Sequence, residues 1–331
     1  MSDIPQEIWD RVVDFANEDG SDSLKSSSLV CHAWLPRART HLFHDFTFPP
    51  LHDLPGSDDK GCNPDELHLI VDGINTSTIT PFAMVVRRLR IWYPGYYPKT
   101  KILFSQLPFK NVTHIRVHEW FDSDTKPLHN LIAQQSQLEF LAFDHLYNLC
   151  GWLELYCTVV KHAKNLHTLS IPFIGRSMKG IGAPPQHLPR LHALRFSLQA
   201  ESILRLISLK FFDTSSLDRL VISGRLMDLS RLGCLKDIVG QNSSASTITD
   251  LKLDLQIDLD PLEDEVFQYL ECLVNLRHFT VLWDGRWEYC GYIGDIIKLS
   301  LPHFPNIHVL TIGFPSLHIW DIQTMKYFFF K

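Results

Sequence analysis

Histidines, serines near glycine, and cysteines are the residues of this chain most suited to chemistry, and in each case their spacing argues against a catalytic centre. His114 and His118 stand four apart in an alternating apolar-polar stretch. On a strand that spacing puts both rings on one face about 13 Å apart, too far to share one zinc ion. Gly20-Ser21-Asp22-Ser23-Leu24 has the look of a serine-hydrolase motif, but it lies between two amphipathic helices. The strand-turn-helix context that exposes such a nucleophile is missing. Cys31, Cys62, Cys150, Cys157, Cys234, Cys272 and Cys290 are odd in number and contain no Cys-x-x-Cys pair. They suit reduced thiols in a cytoplasmic or nuclear protein better than a disulfide frame or a zinc site. No Gly-rich phosphate loop is present, so the expectation is a protein with no catalytic residues, no cofactor and no metal.

The remaining chemistry is binding, and the elements that would position it repeat. The chain has 331 residues, of which 47 are leucine, so a search for internal periodicity comes first. The pattern apolar-x-x-apolar-x-apolar falls at Val86-Leu89-Ile91, Val112-Ile115-Val117, Leu138-Leu141-Phe143, Leu166-Leu169-Ile171 and Leu191-Leu194-Phe196. It continues at Leu217-Leu220-Ile222, Ile248-Leu251-Leu253, Leu276-Phe279-Val281 and Ile307-Leu310-Ile312. Successive copies are 26, 26, 28, 25, 26, 31, 28 and 31 residues apart, too regular a run for chance. Alternation at the last positions of each copy predicts a short strand. Helical spacing follows at 152–160, 203–207, 266–273 and 292–297. Pro189 and Pro305 stand just before the next strand, where a helix must stop. A unit of one strand and one helix cannot bury its own apolar face, so the copies must stack as an α/β solenoid.

The nine hexapeptides resemble the leucine-rich repeat family over roughly residues 82–315, which implies a horseshoe of strand-helix repeats with strands on the inner side, in a solenoid domain taken as 82–331. The Asn or Cys that the family carries three residues after the last apolar position is missing; Ile174 and Glu288 stand near that point. The internal Asn ladder is therefore not expected, and irregular turns are. An ordinary α/β sandwich or barrel of similar spacing is the alternative. Phe43-x-x-Phe46-x-Phe48 fits the strand pattern once more, as a first, atypical copy. Residues 49–81 read as a linker, beginning in a Pro/Gly/Asp-rich surface loop at 49–66. Phe328-Phe329-Phe330-Lys331 reads either as a cap on the last copy or as the end of a truncated chain.

Residues 1–48 form a different unit. Ile8, Val12 and Phe15 share one face of a first helix, with Pro5 near its first turn. The Asn17–Asp22 stretch breaks that helix. Ser21 or Asp22 can cap a second one through Leu24, Leu29 and Val30 to Cys31, and a third runs from about Ala33 to Phe43. The order Ile4-Pro5-Gln6-Glu7-Ile8, then Ser28-Leu29-Val30-Cys31-His32-Ala33-Trp34, then Leu42-Phe43, resembles an F-box-like domain of the fungal type. Ile4 stands where leucine is usual, and Pro36 follows Trp34 closely enough to delay or kink the third helix. The resemblance implies docking on a Skp-type adaptor, itself attached to a cullin-RING ubiquitin ligase. On this sequence the implied docking positions are Pro5, Ile8, Leu24, Val30 and Trp34, with Trp34 foremost.

If the strands' apolar residues face the core, the residues between them line the open face. Arg88, Arg90 and Trp92, then His114, Arg116 and His118, gather there as a client-binding patch suited to an acidic or phosphorylated segment. Net charge is 31 − 37 = −6, so no whole-surface grip on nucleic acid is offered. The first residues are polar and acidic where a signal peptide needs a basic and then an apolar stretch, and no window approaches a membrane span. A cytoplasmic or nuclear location with no membrane contact is expected. Together these expectations describe a substrate-receptor subunit of a ubiquitin ligase, the helices holding the adaptor and the repeats holding a protein client. The alternative is a scaffold that binds the adaptor without directing ubiquitination.

Overall fold

A computed structural model describes residues 5–18, 21–30, 34–48, 82–93, 109–120, 125–146, 152–171, 188–197, 213–226, 238, 247–257, 273–283 and 306–313. The linker at 49–81, the helical spacings at 203–207 and 292–297 and the terminal phenylalanines lie outside these residues, as does the spacing at 266–273 except for Leu273. Two compact units divide the chain, Met1–Asn165 and Leu166–Lys331.

The first unit opens with helices α1 (Gln6–Glu18), α2 (Ser21–Ser28) and α3 (Leu35–Leu42). Strands β1 (Asp45–Phe48), β2 (Arg88–Tyr93), β3 (His114–Trp120) and β4 (Phe140–Leu146) follow, with helices α4 (Phe82–Val85), α5 (Lys126–Ala133) and α6 (Trp152–His162). The second unit carries β5 (Thr168–Ile171), β6 (Ala193–Ser197), β7 (Arg219–Leu226), β8 (Asp250–Ile257), β9 (His278–Trp283) and β10 (Val309–Gly313). In the first unit β1, β2, β3 and β4 pair in that order, all parallel. In the second, β5 to β10 do the same. Parallel neighbours that are also consecutive in sequence need a crossover for every strand, and this is the wiring of a solenoid. The Phe43-x-x-Phe46-x-Phe48 copy is real, since β1 pairs with β2 as Phe46↔Leu89 and Phe48↔Ile91.

Register turns the sequence pattern into columns. Leu169, Leu194, Leu220, Leu251 and Phe279 stand side by side across five strands, and all are almost fully buried. Leu89, Ile115 and Leu141 make the same column in the first unit. The leading position of each copy, from Val86 through Leu276, is buried as well. Because side chains alternate along a strand, fixing one apolar position fixes the whole inner face.

Between β2 and β3 the register shifts, and the reason is an extra residue. β2 and β3 pair as Ile91↔Val117 but then as Trp92↔Glu119, so His118 is an insertion in β3 relative to β2. After this bulge the core position passes to Trp120, which is fully buried.

Backbone groups between copies are satisfied irregularly, as the missing Asn ladder implies. Gln135 is fully buried, donates to the carbonyls of Phe109 (2.6 Å) and Leu131 (3.2 Å), and accepts from the Val112 N–H (3.1 Å). Elsewhere the work falls to Asn111, which donates to the Met84 carbonyl, Asn306 to Val274 and Thr247 to Leu217. His129 joins α5 to α6, its two ring nitrogens each 3.0 Å from a hydroxyl, Thr125 and Thr158.

Candidate functional site

The three N-terminal helices have a core of very few side chains. Val13, Leu24 and Ala38 are buried, and Ala16, Trp34 and Leu42 pack against them. Trp9 meets Trp34 with ring centroids 5.4 Å apart. Trp9, Val13 and Ala16 therefore form the inward stripe of α1, at the i, i+4, i+7 spacing of one helical face. Ile8, Val12 and Phe15 have the same spacing one residue earlier, about 100° around the helix. They face outward: Ile8 is 52% exposed and Phe15 65%. Helix α1 thus has two apolar stripes, and only one of them is used for packing.

Helix α2 stops at Ser28, short of the Cys31 end expected for it. The Ser27 hydroxyl donates to the Ser23 carbonyl (2.8 Å) and Ser28 to Lys25 (2.7 Å), the back-bonding by which serines loosen a helix. Leu29 and Val30 follow in a tight turn, their N–H groups donating to Ser26 and Ser27. Their side chains are 86% and 62% exposed. Helix α3 begins at Leu35, with Trp34 as N-cap and Pro36 in the first turn, where its lacking N–H costs nothing. Pro36 delays the helix and leaves no kink to explain, because the Ala38 N–H still reaches the Trp34 carbonyl at 2.9 Å.

A charged latch ties the first helix to the third. Asp14 accepts two hydrogen bonds from Arg37 (2.7 and 3.0 Å) and lies 2.7 Å from His41 Nε2. The Arg37 hydrogen bonds, helped by His41 and opposed by partial burial, hold the Asp14 carboxyl down at about 2. In return the Asp14 carboxylate raises the Arg37 guanidinium above its ordinary value.

The docking positions expected from the sequence separate into two groups. Pro5, Ile8 and Val30 are exposed. Leu24 is 2% exposed and packs in the core of the three helices. Trp34 is half-buried against the core, and its indole N–H is buried without an acceptor among the described residues. Phe15 and Leu29, the most exposed apolar side chains here, were not among the positions singled out. The signal that could have found them is the Trp9-Val13-Ala16 stripe, which competes with Ile8-Val12-Phe15 for the inside.

The second candidate surface is the open face of β1, β2 and β3. Register sets Asp45, Arg88, His114 and Phe140 in one row and Thr47, Arg90, Arg116 and Ala142 in the next. Four of the six expected client-facing residues, Arg88, Arg90, His114 and Arg116, thereby meet on two adjacent strands. Arg88 lies 3.6 Å from Asp45. Arg116 makes a bidentate pair with Asp144 (2.8 and 3.1 Å), and His118 Nδ1 reaches the same carboxylate at 2.8 Å. The His114 ring stacks on Phe140 at 5.4 Å. The Trp92 side chain lies outside the described residues. Two of the arginines are thus already paired within the protein, by carboxylates on neighbouring strands.

The open face of the second unit is paired likewise. Arg219 lies 3.1 Å from Asp250, and His192 3.5 Å from Asp218. Among the described residues no group of three His, Cys, Asp or Glu could hold a metal ion, and no helix is long and apolar enough to cross a membrane. Neither a protein-family model nor a curated protein matches this chain.

Proposed function

We propose that this protein is a non-catalytic receptor whose three-helix module docks on a Skp-type adaptor of a cullin-RING ubiquitin ligase, while its parallel-strand repeats hold a protein client. The observation that carries the reading is the outward stripe Ile8-Val12-Phe15, with Leu29 and Val30 exposed on the same module. Single exposed apolar residues are ordinary, but a whole helical face of them on a module with so small a core suits a partner surface. The F-box-like order of residues supports the identity of that partner. On this reading rate comes from proximity, the receptor raising the effective concentration of a client lysine near the charged ubiquitin carrier.

The test is affinity purification of the full chain beside Phe15→Asp, with mass spectrometry before and after proteasome inhibition. Adaptor and cullin recovered with the native chain and lost with the variant, together with clients that accumulate under inhibition, support the receptor. Adaptor without accumulating clients supports a scaffold, and equal recovery by both chains overturns the docking claim.

A further inference from the structure

We propose that Thr40 is a phosphorylation site for a protein kinase that reads arginine, and that the phosphate holds open the latch between α1 and α3. The inference deepens the docking reading of the helical module and rests on it for the consequence to the adaptor. Arg37-Ala38-Arg39-Thr40 sets arginines three and one residues before a hydroxyl. Charges at fixed distances from the acceptor are the kind of pattern by which kinases choose their substrates. Thr40 is partly exposed and belongs to the last turn of an eight-residue helix. A helix so short is held by its packing, and its final turn opens most readily into the extended form that a kinase cleft takes.

Arg37 has two uses that exclude each other. In the closed module its Nε and Nη2 donate to the Asp14 carboxylate at 2.7 and 3.0 Å, and Asp10 on the same helix also favours its charge. A kinase must take that same guanidinium, so the open module is the substrate. Transfer forms a bond from Thr40 Oγ1 to the γ-phosphorus of ATP, breaks the β–γ bridge, and releases ADP and the hydroxyl proton. Three changes then keep the latch open. The Thr40 hydroxyl donates to the Pro36 carbonyl at 2.9 Å, and an ester oxygen cannot. Positions 37 and 40 are neighbours on the helix surface, so a phosphate with three oxygens and nearly two charges competes with the single charge of Asp14 for Arg37. His41, the next residue, touches Asp14, so the dianion also enters close to that carboxylate and repels it, at the helix end where the dipole disfavours negative charge.

The experiment incubates the full chain with ATP and the catalytic subunit of cyclic AMP-dependent protein kinase, maps phosphate by mass spectrometry, and then follows amide hydrogen exchange. Phosphate is expected on Thr40. Asp14→Asn, which frees Arg37 and keeps both arginines, is expected to raise the rate at least threefold, and Arg37→Gln to lower it at least tenfold. After phosphorylation the amides of α1 should exchange at least fivefold faster than in Thr40→Ala treated alongside, with those of β6 to β8 unchanged. Thermal melting verifies that the variants fold. No phosphate on Thr40 in the native chain and in Asp14→Asn, equal rates in those two proteins, a rate kept in Arg37→Gln, or unchanged exchange in α1 overturns the inference. Capture of a purified Skp-type adaptor is read on the same proteins. Its loss on phosphorylation is expected, and capture that survives phosphorylation overturns the regulatory consequence. A native chain that captures no adaptor, while its latch still opens on phosphorylation, removes the docking reading and leaves the phosphorylation site standing.

Discussion

The helical module and the strand repeats use apolar residues in opposite ways. In the repeats, Leu194, Leu220 and Leu251 have one place to go, because alternation sends every second side chain to the same inner face. On α1, two stripes with identical spacing lie about 100° apart, and the three-helix core has room for only one. The repeats therefore spend their apolar surface on their own stability, and the module leaves much of its own exposed. A strand pattern implies burial, whereas a helical pattern implies a face that still has to be assigned.

The largest effect should come from the repeats. Leu194→Ala or Leu220→Ala removes a side chain from a filled column and should cost about 2–5 kcal/mol through transfer and cavity terms. Chemical denaturation checks this, and a cost near zero would break the contrast with the module. Next in size is Gln135→Ala, which leaves the Val112 N–H and the Phe109 carbonyl without their side-chain partner. A loss of about 1–3 kcal/mol is expected in the same assay. Substitution of the outward stripe should do much less to the fold: Phe15→Asp is expected to shift stability by about 0.5 kcal/mol or less, as for an ordinary surface site. A large loss there would make the stripe part of the core.

A further small effect concerns the latch between α1 and α3, and its sign follows from the lowered Asp14 carboxyl. Its contribution is complete above the ordinary value of 3.8 and is lost as pH falls through about 2. Asp14 is 40% exposed, so after solvent screening the contribution is about 1 kcal/mol or less. Circular dichroism of the native chain and of Asp14→Asn between pH 5 and pH 2 measures it. The native helices should lose their advantage over the variant across that interval, and a constant difference would remove the latch.

Much of the repeat architecture was legible because period two combined with near-constant spacing leaves little freedom. Every described copy from Val86 to Leu276 enters its strand where the hexapeptide places it. What escaped was what carries no pattern. The bulge at His118 is one inserted residue with no compositional mark, and it hands a core position to Trp120. Helix α5 was not read because its buried Leu128, Leu131 and Ile132 span barely two turns after Pro127. Of the charged face, the arginines were readable but their partners were not. Arg116 and Asp144 are 28 residues apart and meet only through strand register. In the module, Ile8 and Val30 are exposed while Leu24 and Trp34 pack in the core, a packing choice that spacing alone leaves open.

The central claim is that α1 carries a docking face separate from its packing face. Titration calorimetry of the full chain with a purified Skp-type adaptor, native against Phe15→Asp, tests it most directly when thermal melting confirms that both are folded. The account predicts saturable binding by the native chain and at least a tenfold loss in the variant, the size expected when an exposed aromatic anchor is removed. Equal affinity for the two proteins, or no binding by the native chain, would contradict it.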